Sequence, residues 1–295
     1  MDAKSLPTVV ALVPAWRSAT FVQETLDSLD AQTYPNLHVL ISDDASPDNT
    51  AEICETFAAR RPKTRLIRQP KNLGWIGNVN ALLREAAGDY YFFAFHDDLL
   101  KPTYVERLVQ ALEENPRAVV SFSDMFSQDL DNSVARQEYS LLEGVSSASL
   151  RGQRLSAREG VWWAPNRGLF RSSAAREIGG LRRNLAGEFS ADLPWLLRLA
   201  LIGEFVRVPE ALVVKRLTKQ SVSVTWQHDR WQRFARICSC LRAVRDSHLS
   251  LPEKLRLQFK ITLRPCARVG RRLAHRFSGH RETPSPNPGS RAAQG

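Results

Sequence analysis

Cysteine is scarce in this chain and badly spaced for metal chemistry. The four cysteines are Cys54, Cys238, Cys240 and Cys266. No C-x-x-C pair occurs, which excludes the usual zinc patterns. Reduced, partly buried thiols are expected, which suits a cytosolic compartment. Long apolar runs are also missing. None approaches the roughly 20 residues that cross a bilayer, and the polar stretch Met1–Pro7 does not read as a signal peptide. No internal repeat is present. Acidic residues run short in one place only. Residues 1–226 hold 26 Lys+Arg against 27 Asp+Glu, whereas residues 227–295 hold 15 against 4. The formal excess of +10 therefore sits entirely in the last quarter of the chain.

What remains is ordinary for a globular protein: 295 residues, 43% apolar and 24% charged, enough to bury a core without covalent staples. The first 125 residues alternate apolar runs with helical periodicity. Thr8–Val13 is a continuous apolar run, and residues 22, 26 and 29 repeat at helical spacing. Leu37–Ile41 reads as a second strand, and Ser46-Pro47 as the N-cap and first position of a helix to Arg60. Thr64–Ile67 is a third strand, a helix follows from about Trp75 to Ala87, and Tyr90–Phe95 is an aromatic fourth strand. A helix from Pro102 and a strand over Ala118–Phe122 complete the series. Repeated β-α-β order predicts a mostly parallel, Rossmann-like sheet with helices on both faces, whose doubly covered strands are uniformly apolar. Residues 127–160 are polar and weakly periodic and are expected to form long loops. A short strand near Gly168–Arg171, a helix over about 191–201 and strands over Phe205–Val208 and Ala211–Val214 close the body. From Trp226 the chain reads as basic helix. Helix and strand compete over 255–263, and residues 278–295, rich in Pro, Ser, Gly and Arg, are expected to be disordered.

Open α/β sheets bind ligands at the carboxyl ends of their strands. Two acidic pairs fall at such ends: Asp43-Asp44 after the second strand and Asp97-Asp98 after the fourth. A carboxylate straight after a buried strand is costly unless something compensates it. Paired carboxylates hold a hard cation such as Mn²⁺ or Mg²⁺, which in turn bridges phosphates. The competing reading is that they form turns or cap helices. Asp43 is also placed to accept a hydrogen bond from a nucleobase or ribose, and His96 either adds a ligand or, as a lone histidine beside a site more often does, plays a structural part. The turn Lys71-Asn72-Leu73-Gly74-Trp75 opens a helix whose N-terminus favours an anion. Trp162, Trp163 and Trp195 are candidates for stacking on sugar faces or for core packing. Arg171 either faces an acceptor or lies exposed.

The segment VVALVPAWRSATFVQETLDSLDAQTYPNLHVLISDDASPDNT resembles the opening of glycosyltransferase family 2. Asn72-Leu73-Gly74, Gly88-Asp89-Tyr90 and His96-Asp97-Asp98 with Pro102 continue in that family's order. So do Gly179-Gly180, Asp192 with Leu197-Arg198, Gly203 and Val208-Pro209-Glu210. The likeness covers about residues 8–217. It implies a GT-A fold, a nucleoside-diphosphate-sugar donor and inversion at the anomeric carbon. By position, Pro14, Ala15 and Trp16 would line the nucleotide pocket with Asp43, Asn72, Gly74 and Asp97. Asp97 and Asp98 would form the metal region, with either as direct ligand, and Asp192 would be the general base. The chain departs from the family at Phe95, where an acid is usual, and at Ala45, Asn78-Val79-Asn80, Ala191 and Thr218.

The resemblance implies a catalytic unit over 1–226, with a nucleotide-sugar half at about 8–125 and an acceptor half at about 126–226. A basic helical extension (227–277) and a tail (278–295) would follow. The expected activity is metal-dependent transfer to a glycan or lipid-linked acceptor. The alternative is a nucleotide-sugar-binding module that has lost its chemistry. The basic extension suits an anionic membrane surface, at the cytoplasmic face; no nucleic-acid motif occurs in the body, and nucleic acid is not an expected partner.

Overall fold

The computed structural model describes residues 6–217 and 226–263. Its first half is four parallel strands: β1 (Val9–Ala15), β2 (Leu37–Asp43), β3 (Thr64–Arg68) and β4 (Tyr90–Phe93). They are linked by helices α1 (Val22–Asp30), α2 (Thr50–Arg60) and α3 (Gly74–Glu85), in the spatial order β3-β2-β1-β4. Every residue of β1 and β4 is buried, as expected of strands covered on both faces. The pairings Ala15↔Asp43 and Leu12↔Phe93 bring β1, β2 and β4 to one sheet edge at their carboxyl ends. Both acidic pairs therefore emerge there, one on each side of β1.

Beyond β4 the sheet changes direction. β5 (Leu99–Leu100), α4 (Tyr104–Glu114), β6 (Ala118–Gln128), β7 (Val134–Gln137), α5 (Ala148–Ala157), a 3₁₀ turn (Ala164–Arg167), β8 (Leu169–Arg171), α6 (Ser172–Ile178), α7 (Asp192–Ile202) and β9 (Glu204–Arg216) follow. β8 lies antiparallel between β4 and β6, and β9 runs parallel to β6. The pairing of β6 with β9 jumps from Ser123↔Val208 to Asp124↔Ala211. Pro209 lies in the skipped pair, where a residue without an N–H interrupts no ladder. The buried Asp124 pins this irregularity: both its oxygens accept from Arg207 at 2.8 Å, and Arg136 adds a contact at 3.2 Å. The fork geometry suits Arg.

Three local expectations are corrected. Residues 127–160 are not simply loops: β6 extends to Gln128, and β7 and α5 lie within them. Ser147 caps α5 by accepting from the Leu150 N–H. Arg151 is buried on this helix and donates to Val145 O, Ser146 O and Ala200 O, the last a carbonyl at the open end of α7. Secondly, α2 begins at Thr50 and not at Pro47. Asp48 accepts from Thr50 N–H, Thr50 Oγ1 and Ala19 N–H, and Ser46 Oγ accepts from Arg17 N–H, so these side chains tie the β1–α1 loop to the β2–α2 loop. Thirdly, residues 204–216 form one strand, not two.

The chain from Trp226 continues into α8 (Arg230–Arg245) and α9 (251–263), which resolves the competition at 255–263 in favour of helix. Cys240, Ala243, Val244, Leu257 and Ile261 join the main core, so these helices are bonded to the body and not an arm. The expectations for residues 264–295, Cys266 and Thr218 lie outside the described residues.

Gly168 sets how closely β8 approaches β6. A Cβ there would sit 2.4 Å from Ser121 O and 2.9 Å from Pro165 O. Gly168→Ala is expected to cost about 2 kcal/mol of stability, as overpacking against immovable backbone does, read from the urea midpoint at unchanged slope.

Candidate active site

At the shared sheet edge the backbone is ordered by short polar contacts. Asp44 N–H donates to Ala15 O at 2.9 Å, and Asp44 Oδ1 accepts from Leu73 N–H at 2.7 Å. Asp44 is buried, and that burial raises its pKa above the usual carboxylate range. Asp43 is buried beside it. Its Oδ2 accepts from Ser46 N–H at 3.2 Å, while its Oδ1 has no protein partner. Asn78 reaches under the same strands, donating to Ser42 O at 3.1 Å, and its Oδ1 is also unmatched. Buried acceptors without donors are rare in native proteins; a ligand N–H or O–H at these two oxygens would complete them.

Beside this edge lies a cavity of about 520 Å³, within the usual range for small-molecule sites. Pro14, His96, Asp97 and Asp192 contribute to its wall, together with Trp162, Trp163, Arg167 and Lys215. His96 Nδ1 lies 3.2 Å from Pro14 O, joining the β1 and β4 exits. Aromatic faces carry cations here. The Arg167 guanidinium lies 5.0 Å from the Phe95 ring centroid and 5.2 Å from that of Trp163, and Lys215 Nζ lies 5.3 Å from the Trp163 centroid. Burial and the nearby Arg167 lower the Lys215 pKa.

Asp98 turns behind this wall. Its Oδ2 is 2.6 Å from Arg167 Nε, both side chains are largely buried, and Oδ1 has no protein partner. Burial outweighs the Arg167 charge and pushes the Asp98 pKa up to about 6. Asp192 opens α7 on the opposite side. Its Oδ1 accepts from Leu193 N–H at 3.0 Å, and the trapped carboxylate is shifted upward by desolvation despite Arg167 and Arg158 nearby. The fold thus brings the Asp192 carboxylate from α7 and the Asp97 carboxylate from the β4 exit to one cavity with Arg167 and Lys215.

Residues 10–175, more than half of the chain, match the family described as glycosyl transferase family 2. The chain belongs to this family. An uncharacterized glycosyltransferase of Haemophilus influenzae is 25% identical over 77% of this chain and 71% of its own length. The uncharacterized glycosyltransferase EpsJ of Bacillus subtilis is 31% identical over 39% of this chain and a third (33%) of its own length, and glycosyltransferase GlyA of Streptococcus pneumoniae is 30% identical over 36% of this chain and 15% of its own length. Among solved structures, S. aureus TarS 1–349 in complex with UDP-GlcNAc superposes with a TM-score of 0.69 at 15% identity, covering 87% of this chain and 72% of that one. The mannosyltransferase PcManGT from Pyrobaculum calidifontis, in complex with GDP-Man and Mn²⁺, gives 0.56 at 18% identity over 95% and 77%. The fold is the GT-A arrangement, and the protein is a glycosyltransferase.

Within this glycosyltransferase, Pro14, Asp97 and Asp192 share the cavity wall. Ala15 is a buried strand residue opposite Asp43. Trp16 is 44% exposed, with Arg17 over its ring, and stands outside the cavity lining. Asn72 and Gly74 build the turn before α3: Asn72 Nδ2 donates to Asp44 O and Asn72 Oδ1 accepts from Gly74 N–H. The start of α3 already holds an anion, because Glu188 accepts from Trp75 N–H and Ile76 N–H at 3.1 and 3.2 Å. Trp162 and Trp163 line the cavity, but Trp195 is wholly buried against Phe93 and Phe170, donating to Gly179 O. Arg171 serves the core, donating to Ala118 O and Leu112 O.

Sequence reasoning missed Arg167 and Lys215. A signal existed: two adjacent tryptophans shortly before an arginine in an otherwise polar stretch offer flat faces for a cation, and Phe95 where an acid is usual offers a third.

As to a cation, no three Asp, Glu, His or Cys side chains form a cage among the described residues. Mg²⁺-type sites need only one or two carboxylates when substrate phosphates complete the shell. Asp97, with His96 beside it, fits that requirement, whereas the Asp98 carboxylate is held by Arg167.

Arg167→Met is expected to destabilise the fold by about 3 kcal/mol, because it strands a buried carboxylate. Adding Asp98→Asn should recover most of that loss without restoring transfer. A double-mutant cycle in urea, run alongside an activity assay, checks both.

Proposed function

We propose that this glycosyltransferase moves a sugar, with inversion, from a nucleoside-diphosphate donor to a hydroxyl of a glycan or lipid-linked acceptor in glycan biosynthesis. We read the enzyme as cytoplasmic, working peripherally at the inner face of a membrane. The observation that carries this reading is the meeting of Asp97, Asp192 and Pro14 on one cavity wall. Neighbours of the same fold in complex with UDP-GlcNAc, or with GDP-Man and Mn²⁺, support a nucleotide-sugar donor. Residues 1–226 are taken as the catalytic unit and 227–277 as its extension.

Asp192 accepts the proton of the acceptor hydroxyl as its oxygen bonds to the anomeric carbon. The bond from that carbon to the donor diphosphate breaks, and the electron pair leaves with the diphosphate. General-base help of this kind is worth about 10²–10⁴-fold, and the raised Asp192 pKa makes it a better base than an exposed carboxylate. Arg167 and Lys215 face the charge that develops on the leaving group, held in place by aromatic faces before reaction begins. The unmatched Asp43 Oδ1 takes a hydrogen bond from the nucleobase or ribose. Mn²⁺ or Mg²⁺, held by Asp97 with the donor phosphates, would supply further stabilisation of the departing diphosphate.

Asp192→Asn should lower kcat by at least about 10²-fold while leaving donor affinity nearly unchanged, as titration calorimetry would show. Near-normal turnover would remove Asp192 as base. In the wild type, the acid limb of kcat against pH should lie above the usual Asp value of about 3.9. Folding raises this pKa, so ionised Asp192 costs stability once the pH exceeds its unfolded value. The melting temperature of Asp192→Asn should therefore equal or exceed that of the wild type at pH 7.5, the difference shrinking below about pH 4. A thermal-shift panel of UDP-, GDP- and dTDP-sugars, with and without Mn²⁺, should single out one base and show stronger stabilisation with the cation. An Asp97→Asn variant should lose that cation-dependent increment.

A further inference from the structure

The two C-terminal helices leave a strongly apolar face uncovered. On α9, Leu251, Leu255, Phe259 and Leu263 recur every four residues and are 68%, 58%, 63% and 49% exposed. Leu257 and Ile261, on the opposite side of the same helix, are buried in the core. The helix therefore has two apolar sides: one holds it to the body, and the other has no work inside the described fold. Pro252 and Thr262 fall within the outer stripe at helical spacing, so it carries no charge along its crest. On α8, Trp231 and Phe234 stack on each other at 5.7 Å with both rings more than half exposed. Gln258 Nε2 donates to Leu241 O, tying the two helices together. Single exposed leucines need no explanation, but a continuous crest of this kind does.

The surroundings of the crest are cationic. Residues 227–263 hold 8 Lys+Arg against 3 Asp+Glu. Arg256 follows Leu255 on the exposed flank, and Arg242 and Arg245 are exposed on α8.

We infer that the outer face of α9 is the surface by which this enzyme docks on an anionic lipid bilayer. Charge complementarity commits it to that occupant. A crest of Leu and Phe beside arginines matches an interfacial helix, which sinks its apolar side between acyl chains and keeps cations at the headgroups. Shape points the same way. The crest is four large side chains on one helix, each about half exposed or more, and a fluid surface receives such a ridge without the matching groove that a folded partner must supply. No described helix is long and apolar enough to cross a membrane, so the contact is peripheral. The docking helix is coupled to chemistry through α8, which starts just after Trp226 and His228 of the catalytic cavity and packs on α7, which carries Asp192. The inference gives the lipid-linked acceptor proposed above its surface, and rests on that reading for its purpose but not for its test.

The test is flotation of the full chain with vesicles of phosphatidylcholine alone or with 30 mol% phosphatidylglycerol, roughly the anionic content at which basic segments bind. Wild type should float with the anionic vesicles and not with the neutral ones, and 0.5 M salt should weaken the association. Leu255→Glu combined with Phe259→Glu should reduce the bound fraction about tenfold or more. Its melting temperature and its donor hydrolysis in solution should be unchanged, because both side chains are exposed and remote from the cavity. Failure of the wild type to float would overturn the inference. So would a double variant that floats as well as wild type, which would assign binding to charge alone. Concentration-dependent dimers in the wild type that vanish in the variant, with no flotation by either, would assign the crest to a second copy and equally overturn it. Loss of flotation with donor hydrolysis retained separates this surface from the transfer chemistry; loss of transfer with flotation retained tests that chemistry instead.

Discussion

The ion pair between Asp98 and Arg167 is the interaction on which the catalytic wall depends. It joins the exit of β4 to the 3₁₀ turn before β8, two segments distant in sequence, through a 2.6 Å contact largely shielded from water. Shielding makes the pair expensive to assemble and more expensive to break. Its value here is positional. With its guanidinium edge on Asp98 and its faces against Phe95 and Trp163, Arg167 has no freedom to wander. Tyr104 Oη donates to Arg167 O at 2.6 Å, which anchors the backbone of the same residue to α4. A cation immobilised before substrate arrives needs no reorganisation when charge develops, which is the basis of electrostatic preorganisation.

Phe95 becomes intelligible in this setting. An acid at that position would place a third carboxylate near Asp97 and Asp98. The aromatic ring instead gives Arg167 a surface and removes one negative charge from the exit of β4. Charge that the family commonly manages with paired carboxylates is redistributed here, with Asp97 on the cavity wall, Asp98 neutralised behind it, and Arg167 and Lys215 between the wall and the tryptophans. Arg216 contributes from β9: its Nε donates to Asp97 O at 2.7 Å while Nη1 pairs with Glu24. The backbone of Asp97 is thereby held from the far strand of the sheet.

The parts legible in the sequence were those with one dominant cause. Uniformly apolar runs became β1, β2 and β4 because doubly covered parallel strands admit little else, and the acids that follow them could only emerge at the carboxyl edge. Other parts were hidden because their causes are tertiary. Helix α5 buries an arginine that caps α7, and a glycine, Gly152, that lets Leu201 and Leu257 close in, so aliphatic periodicity could not reveal it. Pro47 suggested a helix start, but Ser46 accepts from the neighbouring loop, and Asp48 divides its oxygens between that loop and Thr50, where the helix begins. Trp195 and Trp163 have the same side chain and opposite fates, decided by which helix or loop faces the core. The base role proposed for Asp192 rests on family resemblance and on its place in the cavity wall; in composition it is one more acid at a helix start.

Glu188 occupies the start of α3 with a carboxylate of the protein's own, paired to Arg183 at 3.1 Å. In many nucleotide-binding folds a helix start is where phosphate settles. In this chain that seat is taken, and a diphosphate arriving there would meet like charge. Cations on the cavity wall are Arg158, Arg167 and Lys215. Positive charge in this cleft is consequently carried by side chains just after α5, in the 3₁₀ turn and on β9, and not by a vacant helix start.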